Sequence, residues 1–243
     1  MTFNQRDTIS SSKPQINVGQ VNTFATQVYG WMSVGLALTA FVAWFIFATG
    51  LYIKLMPYMW LTAIGTFAVS MSIAARINKL TFTGLTSLFL SYSALQGIFF
   101  GCALPGYASA FGGQVIWAAF GTAAIVFGIA ILYGVFTKSD LTSLGRILSI
   151  AVIGLIVVTL FYMVLSMFMP MSKMMLLISY MGLVIFTGLT AYDANQIKKM
   201  SLEVDGYSIA SCKLSLVLAL RMYINVIMIF WYLLQIFSSS NKR

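Results

Sequence analysis

Residues 214–237 read LSLVLALRMYINVIMIFWYLLQIF, 24 residues that are apolar except for Arg221, Asn225 and Gln235. About 20 predominantly apolar residues are enough to carry a helix across the hydrocarbon of a bilayer. The stretch is therefore predicted to span a membrane. Its three polar side chains then need protein partners, because hydrocarbon supplies none.

The same reading repeats up the chain. Further segments run over about 26–49, 57–75, 83–104, 114–136, 147–169 and 174–192, which makes seven with 214–237. The prolines fit this division: Pro14 falls in the N-terminal tail, and Pro57, Pro105 and Pro170 fall at expected segment edges, where a missing N–H costs nothing. The segments are continuously apolar and do not alternate, which argues against a β-barrel. The expected architecture is all-α, a polytopic seven-helix membrane bundle. A polar tail covers 1–25, the transmembrane domain 26–237, and a short polar end 238–243.

Composition agrees. Hydrophobic residues make up 60% of the 243, charged residues only 8%, and mean hydropathy is +0.93. A soluble domain carries roughly a quarter charged residues. The net charge of +9 comes from 14 Lys and Arg scattered in ones and twos between apolar runs. That is a topology signal, not a phosphate-tracking patch, so no nucleic-acid partner is expected. Apart from Arg221, the cations divide nine to four between alternate connections, with the tail on the richer side. The N-terminus is thus expected in the cytoplasm. If 214–237 re-entered without crossing, Lys242 and Arg243 would join that side; the length of the stretch favours a crossing. The N-terminal 25 residues lack the apolar centre of a signal peptide.

The chemistry open to this chain is narrow. There is no histidine, which excludes histidine bases, histidine metal ligands and histidine pH switches. Cys102 and Cys212 form no CxxC motif. Only one acid, Asp193, falls at membrane depth, so an intramembrane aspartyl-protease pair is not available, and no enzyme and no cofactor are expected. A Gly97–Gly101 GxxxG suggests close helix packing. No inverted repeat or interrupted helix supports a small-substrate transporter.

Asp193 closes the sixth segment within GLTAYDANQIKKM, residues 188–200. Two readings stand. Either it is an interfacial carboxylate paired with Lys198 or Lys199, or the helix runs on through ANQIKKM and leaves it at membrane depth. The second answers the unfavourable dipole at a helix C-terminus. Arg221 and Asn225 are four apart and share a helix face. Arg221 either snorkels to the surface or pairs with Asp193, with Asn225 as a hydrogen-bonding partner. Arg76, at the end of the second segment, is either a positive-inside anchor or a third member of this group.

VYGWMSVGLALTA at 28–40, AYDANQI at 191–197 and ALRMYINVIMIF at 219–230 resemble the Bax inhibitor family, the transmembrane BAX-inhibitor-motif proteins. The short tail and loops look most like a bacterial member, which implies a multi-pass inner-membrane location. The resemblance implies six helices around a central seventh, a pH-sensitive calcium leak in several members, and stress protection. It also implies, for some bacterial members, regulation of a membrane-bound quality-control protease instead. In calcium-leak members, the aspartate matched by Asp193 pairs with a second aspartate on the seventh helix, within a pattern like LYLDFIN. Here Asn225 stands at that second position. An arginine near the end of the second helix acts as a latch in the family, and Arg76 is its loose counterpart. An amide shares no titrating proton and is a weaker calcium ligand than a carboxylate. The expectation is a calcium leak with weakened pH gating, calcium being at most a permeant or weakly held ion at Asp193. The alternative is a non-transporting regulator that binds a membrane protease. Besides the lipid bilayer no partner is fixed by the sequence, and no oligomeric state.

Overall fold

The computed structural model describes residues 18–76, 80–166, 172–203 and 208–240, with side chains from Thr23 onward except at 74–76 and 172. Helix α1 runs Val18–Ala48, followed by the short α2, Tyr52–Leu55, a 3-10 turn at Met56–Tyr58, and α3, Met59–Arg76. Then come α4, Phe82–Phe111, α5, Gly113–Phe136, α6, Thr142–Leu165, α7, Ser172–Glu203, and α8, Ile209–Ser240. Among the described residues, seven helical spans are long and apolar enough to cross a membrane, α2 and α3 forming one of them.

Several helices outrun their expected bounds. Helix α1 starts at Val18, inside the stretch read as tail, and its early side chains Phe24 and Val28 are fully buried. Helix α8 continues to Ser240, into the expected polar end, with Ser238 bonded back to the Leu234 carbonyl. Pro105 lies inside α4 and not at its edge. The residues beyond it stay helical because a broken backbone would expose polar groups where no water can meet them. Tyr107 anchors this extra turn with its ring centroid 5.8 Å from that of Trp231. Helix α4 ends at Gly112, whose φ of 85° is a conformation that side-chain-bearing residues rarely adopt. That single residue separates α4 from α5.

Helix α8 is the hub. Helices α1, α4, α5 and α7 all pack on it, and each packs on its neighbours to close a ring. The other two spans do not join the ring: α3 leans on α4, and α6 leans on α7. The expectation of six helices around a seventh is thus corrected to four around one, with two outside. The most apolar span, α6, is 6% buried, whereas α8 is 56% buried. Lipid tails are as apolar as leucine, so apolarity does not draw a helix inward. Polar groups needing partners do. Span α3 is the least apolar yet equally lipid-facing. Its Thr62, Thr66, Ser70 and Ser72 each donate to a carbonyl three or four residues back on their own helix, which satisfies them without a neighbour.

Two seams fix the ring. On α1 and α4, the predicted small-residue contact is present: a Cβ on Gly97 would lie 2.9 Å from the Thr39 carbonyl, and one on Gly101 3.1 Å from that of Ala43. Beside this seam the Tyr223 hydroxyl meets that of Thr39, which also contacts the Ser93 and Gly35 carbonyls. Threonine has one hydroxyl proton, so Tyr223 donates to Thr39 and Thr39 donates onward. On α5 and α7, Asn195 donates to the Gly134 carbonyl at 3.1 Å and Lys198 to the Val135 carbonyl at 2.6 Å. These are last-turn carbonyls of α5, which have no partner within their own helix and attract a cation. Lys199 then pairs at 2.6 Å with Asp140, in the connection to α6.

Two outcomes follow from these seams. Gly97→Leu destabilises the folded bundle by about 1–3 kcal/mol through overpacking, read as a lower midpoint in detergent unfolding. Gly121→Leu, where an added Cβ meets nothing, stays within about 0.5 kcal/mol of the parent. Lys199, then the Thr142 hydroxyl and amide, hold the Asp140 carboxyl down at about 2, against an ordinary 3.8. Its contribution is complete above the ordinary value and is lost as pH falls through about 2. Carbon NMR of the Asp140 carboxyl checks this: a midpoint near 3.8 shows that the pairing is absent.

Candidate functional site

Helix α7 runs ten residues past Asp193, to Glu203, so the reading in which the helix continues through ANQIKKM is the observed one. Asp193 is 1% exposed. Both its oxygens are met from one face of α8. An Arg221 guanidinium nitrogen lies 2.6 Å from Oδ1, and Asn225 Nδ2 donates to Oδ2 at 2.7 Å. The four-residue spacing of Arg221 and Asn225 is what allows one helix face to grip one carboxylate. The ion-pair reading of Arg221 therefore holds.

The Arg221 contact is close and charge-assisted, so each carboxylate oxygen has one partner on α8. The Arg221 side chain remains 41% exposed, and its guanidinium carbon sits 5.7 Å from the centre of the Tyr192 ring. Such a placement over an aromatic face is favourable for a cation. The three polar residues form one wall of an open recess of about 240 Å³ between α6, α7 and α8. Val152, Phe186 and Leu189 supply the apolar remainder.

The donor set does not make a resident calcium site. Calcium takes six to eight oxygens, commonly from several carboxylates. Asp193 offers two oxygens, both already engaged, and no cluster of three His, Cys, Asp or Glu occurs among the described residues. What the arrangement can do is hold one negative charge at membrane depth against one tethered positive charge.

Arg76 ends α3, and its side chain lies outside the described residues. Its helix leans on α4, which stands across α8 from α7 in the ring. Sequence reasoning passed over Tyr192, Asn195 and the trans-capping role of Lys198. A signal was present: Ala191, Asn195, Lys198 and Lys199 recur at helical spacing, one stripe of α7 facing α5.

Comparison with known proteins agrees with this architecture. The sequence model of the family described as "Inhibitor of apoptosis-promoting Bax1" matches residues 21–242. An uncharacterized protein of Chlamydia muridarum (strain MoPn / Nigg) is 52% identical over 221 residues, covering 91% of this chain and 93% of that one. Inner membrane protein YbhL of Escherichia coli (strain K12) is 34% identical over 228 residues, covering 92% and 93%. An uncharacterized protein of Deinococcus radiodurans is 32% identical over 227 residues, covering 93% and 94%. Matched along nearly its whole length and built of seven membrane-length helices, the chain is a multi-pass bacterial inner-membrane protein that belongs to the Bax inhibitor family.

Proposed function

We propose that this protein is a cation leak pathway, calcium included, and that the conformation described here is its closed state. The observation that carries the reading is the buried Asp193 carboxylate closed off by Arg221 at 2.6 Å. An ionisable residue at membrane depth is costly and marks function by default. A permeating cation needs anionic oxygen along its path, and the guanidinium occupies the place such a cation would take. Arg221 is then a tethered competitor for the carboxylate, and opening requires it to swing into the recess where its side chain is already part-exposed.

The pH response follows from Asn225. Two close carboxylates share a proton because both cannot ionise cheaply at short range. A carboxylate and an amide have no such shared proton, so gating near neutrality is weak. Passive calcium flux into liposomes carrying the full chain is expected to vary little between pH 6 and 8. Arg221→Gln raises that flux and Asp193→Asn lowers it, each by about tenfold or more if one kcal/mol-scale charge contact sets the barrier. Asn225→Asp restores a second carboxyl and steepens the pH dependence. A steep dependence in the parent chain that Asp193→Asn abolishes would sink the gating assignment. Absence of flux from folded parent and Arg221→Gln protein alike would overturn the leak itself, in favour of a non-transporting regulator that binds a membrane protease.

A further inference from the structure

A second pocket, of about 340 Å³, lies where the α5–α6 connection meets the end of α7. It is lined by Thr137, Lys138, Asp140, Asn195, Lys198 and Lys199, among others. Three lysines face one carboxylate there, a local excess of two positive charges. We infer that this pocket binds the phosphate headgroup of an anionic membrane lipid.

The lysines differ from scattered surface anchors in being held. Lys198 is fixed on the Val135 carbonyl and Lys199 on Asp140, each at 2.6 Å. Each ammonium has three N–H donors, so two remain on each for a ligand. The side-chain ordering that phosphate binding normally costs is already met at these two positions. Lys138 is exposed, and no described residue pairs with it.

Depth selects lipid as the source of the phosphate. The pocket sits between the end of one membrane span, at Phe136, and the start of the next, at Thr142, which is headgroup level. Tyr133 and Phe136 on the last turn of α5 are 58% and 75% exposed beside it, the interfacial placement that aromatic side chains favour. Helices α5 and α6 both pack chiefly on α7, which leaves surface beside the pocket for an acyl chain. Basic pockets between helices at this level suit phosphate headgroups. The pocket is separate from the Asp193 recess, and its occupancy does not depend on whether the protein conducts.

Native mass spectrometry of the full chain in detergent tests the assignment, with phosphatidylglycerol, phosphatidylcholine and inorganic phosphate as probes. Phosphatidylglycerol is expected to bind at least about tenfold more tightly than phosphatidylcholine. Lys138→Gln, which breaks no contact in the fold, weakens it about fivefold, and adding Lys198→Gln weakens it about fivefold again. Lys213→Gln removes the same charge outside the pocket and leaves affinity unchanged. Equal affinity for the two lipids, or equal losses from Lys138→Gln and Lys213→Gln, would overturn the site. Displacement of the lipid by inorganic phosphate at comparable affinity would overturn the lipid as its ligand.

Discussion

Polar side chains carried into a bilayer must find partners inside the protein, and in this fold three of the buried ones that reach across helices end on α8. Asp193 of α7 meets Arg221 and Asn225, Thr39 of α1 meets Tyr223, and Ser179 of α7 donates to Gln235 at 2.6 Å. Each is buried or nearly so on the α7 or α1 side. Hydrocarbon does not distinguish one apolar helix face from another, so these contacts, together with the glycine seam between α1 and α4, decide which helices surround the hub. Spans without such obligations, α3 and α6, stand outside the ring.

The same rule shapes the charge pair. Arg221 and Asn225 grip a carboxylate that has no other charged neighbour among the described residues, one on each oxygen. A buried ion pair recovers its desolvation cost only with good geometry and saturated hydrogen bonding. The Arg221 side chain, part-exposed beside an open recess, is the member of this pair with room to move.

Much of this was legible in the sequence. The seven apolar segments and the Gly97–Gly101 contact follow from length and spacing, whereas the pairing of Asp193 with the Arg221–Asn225 face was one of two readings, and the cost of unpaired charge in lipid decides for it. Helix ends were less legible. The buried Phe24 helps to hold α1 where it extends back into a polar-looking stretch, and Pro105 is absorbed where a soluble helix would have stopped. The central place of the last helix came from the family resemblance, but which four helices surround it was not readable. It depends on which hydroxyls are satisfied within their own helix, as on α3, and a hydropathy profile counts those the same as hydroxyls that need a neighbour.

The hub also follows every one of its partners in chain order. Ribosomal synthesis delivers α1, α4, α5 and α7 to the membrane before α8 exists, so Thr39 waits for Tyr223 and Asp193 for both of its ligands. Until then Asp193 lacks both of the side chains that engage it in the folded bundle. Arrival of α8 fills the axis of the ring and brings the acid its partners in one event.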